Sequence, residues 1–188
     1  ILDFGCGCGR LARMFKGHPH KVSGCDIDNR HVEWVNKNLN HMRATRTSVN
    51  PPLPYNDNEF DAVISISIFT HLTEKKQDEF LSELHRICCP GGSLFLTVHG
   101  EQALNRAINE KSIRDMIWVE EIPFQKAMKE FAQNKHAFIL QNGHLTTVQK
   151  NSSLRSRLRN LFVAKKLFIT EPYEYGITFI PELYIRNH

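Results

Sequence analysis

The run Gly5-Cys6-Gly7-Cys8-Gly9 constrains this chain more than any other feature. It follows Ile1-Leu2-Asp3-Phe4, which reads as a strand, and precedes Arg10-Leu11-Ala12-Arg13-Met14-Phe15, which reads as a helix reaching about Lys16. Glycine adopts positive φ without steric cost and carries no Cβ. A strand, loop and helix built on these residues therefore lets a ligand lie against bare backbone at a helix N-terminus. Asp26 lies seventeen residues past Gly9, at the end of the next predicted strand. An acidic residue there is placed to bind both hydroxyls of a ribose. The pattern implies a nucleoside-cofactor site.

The glycines alone leave the cofactor open, because Gly7-Cys8-Gly9-Arg10-Leu11-Ala12 also fits the dinucleotide fingerprint of NAD(P)-dependent oxidoreductases. Asp3, inside the first strand, suits a ligand that carries an ammonium group. Two further signatures follow: Asn50-Pro51-Pro52-Leu53-Pro54-Tyr55 ahead of Phe60-Asp61-Ala62-Val63-Ile64-Ser65, and Cys89-Pro90-Gly91-Gly92 ahead of Ser93-Leu94-Phe95-Leu96. With these motifs in this order the sequence resembles the class I S-adenosylmethionine-dependent methyltransferases, most closely the branch that acts on small molecules. The resemblance is close over residues 1 to about 100, weakens over 101–170, and returns at Tyr175-Gly176-Ile177-Thr178-Phe179 and Glu182-Leu183-Tyr184-Ile185-Arg186.

The resemblance implies S-adenosylmethionine as cofactor and transfer of its methyl group to an oxygen or nitrogen nucleophile. Gly5, Cys6, Gly7 and Gly9 would carry the cofactor along the loop, with Asp3 holding its amino group and Asp26 its ribose hydroxyls. Ile27 would pack on the adenine and Asn50 face the adenine amino group, although the carboxylate usual at the latter place is missing. Ser65 to Ser67, with Ser65 foremost, would line the methyl-donor end. His71 and His99 are the candidate bases, each with a competing structural role. The chain's ten histidines make any single one weak support. A non-catalytic S-adenosylmethionine-binding module is the other alternative.

Strands are expected at residues 1–4, 21–26, 44–48, 60–65 and 93–98, alternating with helices at 10–16, 30–39 and from Thr73 to the stop at Pro90-Gly91-Gly92. Alternation of this kind implies a Rossmann-like α/β fold, a doubly wound and mostly parallel sheet. Asp28 or Asn29 would cap the second helix, and Thr73 the third with Gln77 near its capping-box position. After strand 5 an α+β insertion is expected: a helix over 102–117, a second from Pro123, and either a hairpin turning at Gln141-Asn142-Gly143-His144 or a helix capped by Gly143. Three segments follow: a cofactor-binding core over 1–100, a cap on the substrate side over 101–170, and a return to the core over 171–188. The chain reads as a piece that begins inside a strand and stops before the last two strands of a seven-stranded sheet.

A hydrophobic content of 41% suits a globular domain. No apolar run of 18 residues exists, so no membrane-spanning helix is expected. Five cysteines without C-x-x-C spacing argue against a metal site and suit small apolar filling in a reducing, cytoplasmic setting. Lys150, Arg155, Arg157, Arg159, Lys165 and Lys166 fall in a stretch without acids. It reads either as a surface for an anionic partner or as the solvated face of a helix whose Leu154, Leu158, Leu161 and Phe162 point inward. The acceptor is accordingly expected to be a small molecule, anionic if that stretch faces it. Nucleic acid is disfavoured, because no aromatic residues interleave the charges.

Overall fold

Val22, Cys25 and Val63 are buried in short apolar runs, as in parallel strands covered by helices. A computed structural model describes residues 1–117, 119–141 and 173–187. Its main sheet contains β1 (Leu2–Phe4), β2 (Val22–Asp26), β3 (Met42–Arg46), β4 (Phe60–Ser65) and β5 (Cys88–Leu96). All are parallel, in the order β3-β2-β1-β4-β5. The order reverses between β1 and β4, and the crevice beyond the C-terminal ends of these two strands is where open α/β sheets bind ligands. The fold is the Rossmann-like α/β type.

Helix α1 (Asn29–Asn38) starts where Asp28 Oδ1 accepts the Arg30 N–H at 2.9 Å, and it buries Val32 and Val35. Helix α2 (Glu74–Ile87) starts at Thr73, whose side chain accepts from the Lys76 N–H, and packs Phe80, Leu84 and Ile87 into the core with Leu2, Phe4 and Val63. Gln77 does not complete a capping box. It is buried, and its Nε2 donates to Phe69 O at 2.6 Å, tying α2 to the turn after β4.

Several boundaries differ from expectation. The first helix shrinks to a 3-10 turn, Ala12–Phe15, because Leu11 offers no side-chain cap and Gly17 with Pro19 ends the segment at once. β5 begins at Cys88 and ends at Leu96. Phe60 pairs with Cys88 and Ala62 with Ser93, so Cys89–Gly92 bulge out between them. The helix expected over 102–117 divides at Glu110, whose extended backbone separates α3 (Glu101–Asn109) from α4 (Lys111–Ile117). Arg114 Nη1 then donates to the freed carbonyls of Ala107 and Ile108.

Helix α5 (Glu121–Ala132) leads to β6 (Ala137–Leu140), which pairs antiparallel with β7 (Gly176–Phe179). The expected partner strand of the hairpin, 145–148, lies outside the described residues, as does the basic stretch. Leu104, Phe124, Ile139, Ile177 and Phe179 form a second core between this small sheet and helices α3 and α5. The last helix, α6, spans Glu182–Asn187. No helix among the described residues is long and apolar enough to cross a membrane.

Candidate active site

Every segment that reaches the C-terminal ends of β1, β2 and β4 contributes to one cleft that is open to solvent. Phe4 and Gly5 come from the end of β1, and Cys25, Asp26 and Ile27 from the end of β2. Thr47, Ser48 and Val49 follow β3, while Ser67, Ile68, His71 and Leu72 follow β4. Phe80 of α2 and the tyrosines Tyr173 and Tyr175, just ahead of β7, close it.

The glycine loop holds its shape through backbone bonds. The N–H groups of Gly5 and Cys6 both donate to Cys25 O at 2.9 Å, and Gly5, Gly7 and Gly9 all have positive φ. At Gly5 (φ +76°) an added Cβ would stand 2.3 Å from Ile68 Cδ1, so the first glycine also lets the loop after β4 approach. Asp26 lies across the loop from these contacts. One carboxylate oxygen accepts the Gly7 N–H at 2.8 Å and the other the Asp28 N–H at 2.8 Å. The two bonds fix the carboxylate at the cleft wall, where its remaining lone pairs suit a vicinal diol.

His71 is held equally firmly. Its Nδ1 lies 2.7 Å from Gly176 O, and because a carbonyl only accepts, Nδ1 carries the hydrogen whenever the ring holds a single one. Nε2 is then the acceptor, with Tyr175 Oη 3.3 Å away and the two rings stacked at 4.6 Å between centroids. Thr178 Oγ1 donates to Leu72 O at 2.6 Å in a fully buried contact, a second stitch between β7 and the turn that bears His71.

The remaining candidates divide. Ile27 lines the cleft beside Asp26. Asp3 and Cys6 are buried beneath the loop, and burial pushes the Cys6 thiol far up, with nearby Asp26 adding to the effect. Ser65 is fully buried, its Oγ without a partner among the described residues, and does not reach the cleft; Ser67 does, in a left-handed conformation (φ +60°) with its N–H on Thr97 Oγ1. Asn50 turns away from the cleft and accepts from Lys76 Nζ at 2.5 Å, so Thr47, Ser48 and Val49 take the place expected for it. His99 is not in the cleft wall either. It packs on Phe179, and burial, then the charge of His71, lowers its pKa. Tyr173 and Tyr175 went unrecognised because the residues they meet are about a hundred positions away. The only local signal was an aromatic pair ahead of a glycine.

Asp3 is the least comfortable group in the site. It is 4% exposed, its Oδ2 has no partner among the described residues, and burial, set against the Ala12 N–H and reinforced by Asp26, raises its pKa from 3.8 to about 6. An orphaned carboxylate oxygen beneath a glycine loop fits a cofactor that brings an ammonium group. A folded pKa above the unfolded one means that the unfolded chain ionises first. Between pH 4 and 6, folding of the unliganded protein therefore loses on the order of 2 kcal/mol through this group. Asp3→Asn should remove that loss. Denaturant unfolding of both proteins across this range is expected to show the variant gaining relative stability as pH rises, and a pH-independent difference would refute the assignment.

The fold and cleft define an α/β protein built to bind a nucleoside cofactor at the switch point of its sheet. Residues 1–92 match the methyltransferase-domain family. Over these residues the chain is a methyltransferase domain of the class I S-adenosylmethionine-dependent type, a family whose cofactor is S-adenosylmethionine. It is 31% identical over 114 residues to the probable tRNA methyltransferase 9B of Homo sapiens, a match covering 60% of this chain and 24% of that protein. It is 34% identical over 100 residues to the tRNA (carboxymethyluridine(34)-5-O)-methyltransferase of Arabidopsis thaliana, covering 52% and 23%. Among solved structures, a SAM-dependent methyltransferase from Methanosarcina mazei superimposes with a TM-score of 0.53 at 19% identity, covering 76% of this chain and 66% of that one. The chain thus spans about a quarter of the length of these curated relatives. Their names overturn the expectation that nucleic acid is disfavoured as a partner. That expectation weighed only whether aromatic residues interleave the charges of 150–166.

Proposed function

We propose that this chain is the catalytic core of a methyltransferase that modifies an oxygen of a nucleoside in RNA. The observation that carries the reading is a cleft in which a carboxylate fixed by two backbone N–H groups, Asp26, and an oriented imidazole, His71, share one wall system, in a chain similar to proteins named as tRNA methyltransferases. The name of the plant relative specifies oxygen. The acid-free basic stretch at 150–166 supports a polyanionic acceptor.

When bound, S-adenosylmethionine supplies an electrophilic methyl group on a sulfonium. Asp26 would hold its ribose hydroxyls, Asp3 its amino group, and Ile27 and Val49 its adenine, while the backbone at Gly5 allows close approach. His71 Nε2 takes the proton that the acceptor oxygen loses, either directly or through Tyr175 Oη, and Nδ1 stays bonded to Gly176 O throughout. Tyr173 and Tyr175 exclude water and offer rings against which a planar acceptor can stack. The five cysteines are all free, which suits a reducing compartment such as the cytoplasm.

The test is incubation of the protein with bulk tRNA and methyl-labelled S-adenosylmethionine. Label that survives protease, is released by ribonuclease, and resides on oxygen after nucleoside analysis is the expected result. Label confined to the low-molecular-weight fraction of a cell extract would replace RNA by a small-molecule acceptor beneath the 101–170 segment.

A further inference from the structure

Residues 10–46 contain eight lysines and arginines against three acids. Folding sharpens this imbalance. All eight bases are exposed, whereas Asp26 and Asp28 are buried, which leaves Glu33 as the segment's one exposed acid. Five of the eight belong to the 3-10 turn (Arg13), α1 (Arg30, Lys37) and the edge strand β3 (Arg43, Arg46), and Arg10, Lys16 and Lys21 to the adjoining connections.

In the middle of this surface stands Trp34, 39% exposed on α1. The Arg13 guanidinium lies 5.0 Å from its ring centroid and also donates to Cys8 O in the cofactor loop. A shallow depression bordered by Arg30, Glu33, Trp34, Lys37 and Asn38 adjoins the ring, so two cations and the one exposed acid share its rim. A large indole exposed on a helix whose other outward residues are polar contributes nothing to the core. Here it is flanked by cations and keeps a wet face.

We propose that this α1 surface docks a single-stranded stretch of RNA, with one base stacked on Trp34 and the backbone phosphates met by Arg13, Lys37 and Arg46. Position ties it to the cleft. Arg46 pairs in register with Asp26, and Thr47 next to it lines the cleft, so the basic track begins at the cleft mouth. From Arg30 to Lys37 the helix rises about 10 Å, room for one to two nucleotides. An aromatic platform with cations along a track is the arrangement by which single strands are held without sequence preference. The inference rests on the RNA reading above and adds where the strand enters.

The test uses the full chain and a fluorescein-labelled single-stranded RNA of about a dozen nucleotides, followed by anisotropy at several salt concentrations. Trp34→Ala is expected to weaken binding at least about fivefold, the lower end of the cost of losing one stacked base. Lys37→Glu should reduce the slope of log affinity against log salt by about one phosphate contact or more. Calorimetric binding of S-adenosylhomocysteine should be unchanged in both variants, which also certifies their folding. With Trp118→Phe as background, RNA should quench the remaining indole. Wild-type affinity and salt slope in both variants would overturn the surface even if tRNA is methylated. Binding through Trp34 with no methylation of any RNA would leave the surface standing and defeat the functional reading. Quenching by an acidic polypeptide, with none by RNA, would overturn the occupant.

Discussion

His71→Ala is expected to lower turnover about 100- to 10,000-fold while leaving cofactor affinity within about fivefold, the signature of a lost proton acceptor. The argument rests on how the ring is held. Nδ1 is committed as a donor to Gly176 O, so the basic lone pair belongs to Nε2, on the side of Tyr175 and the cleft. An alternative role is mechanical: the same bond ties β7 to the turn after β4, and its loss alone could shift the tyrosine wall. His71→Asn separates the two, because an amide nitrogen can still donate to the Gly176 carbonyl but offers no base. If Asn restores turnover, His71 only positions β7. If Asn and Ala are equally slow, while wild-type turnover rises with pH through one titration that both variants lack, the base role stands.

The parts of this molecule that were legible in the sequence are those in which cause and effect lie close together along the chain. The loop at 5–9 needs positive φ at alternate residues, and glycine supplies it there. Asp28 caps α1 two residues from the N–H it accepts, and β4 runs from Phe60 to Ser65 as its apolar run suggested. Asn50 misled because a polar side chain after β3 suits an adenine contact, yet Lys76 of α2 competes for the same oxygen. Ser65 and Ser67 look interchangeable until the strand ends between them and the backbone turns left-handed.

The tyrosine wall depends on β7 docking against a turn more than a hundred residues earlier, which no local pattern reports. The charge of the α1 surface was hidden differently. A count over residues 10–46 sets three acids against eight bases, but two of those acids spend their charge on buried backbone N–H groups and the Arg30 side chain. Burial, which a count does not see, turns a moderately basic segment into a strongly basic surface.

Asp26→Ala should weaken S-adenosylmethionine or S-adenosylhomocysteine binding by about 1.5–3 kcal/mol, roughly 10- to 150-fold, because it deletes a charged acceptor of hydroxyl donors. The structure adds a second cost. The same carboxylate accepts the Gly7 and Asp28 N–H groups at 2.8 Å, so alanine also frees the middle of the loop from the end of β2. Asp26→Asn distinguishes the two contributions. An amide oxygen can still accept one of these N–H groups, and the amide nitrogen, a donor, would face the other. Asn should therefore recover part of the loop's order but little of the affinity for a diol that needs acceptors. Calorimetry of both variants, with amide hydrogen exchange at Gly7 and Asp28, reads the contributions separately. Full affinity in Asp26→Ala would mean that the ribose is held elsewhere. Equal affinity of the wild-type protein for NADH would mean that the cleft does not discriminate the nucleoside it was built around, and the cofactor assignment would fall with it.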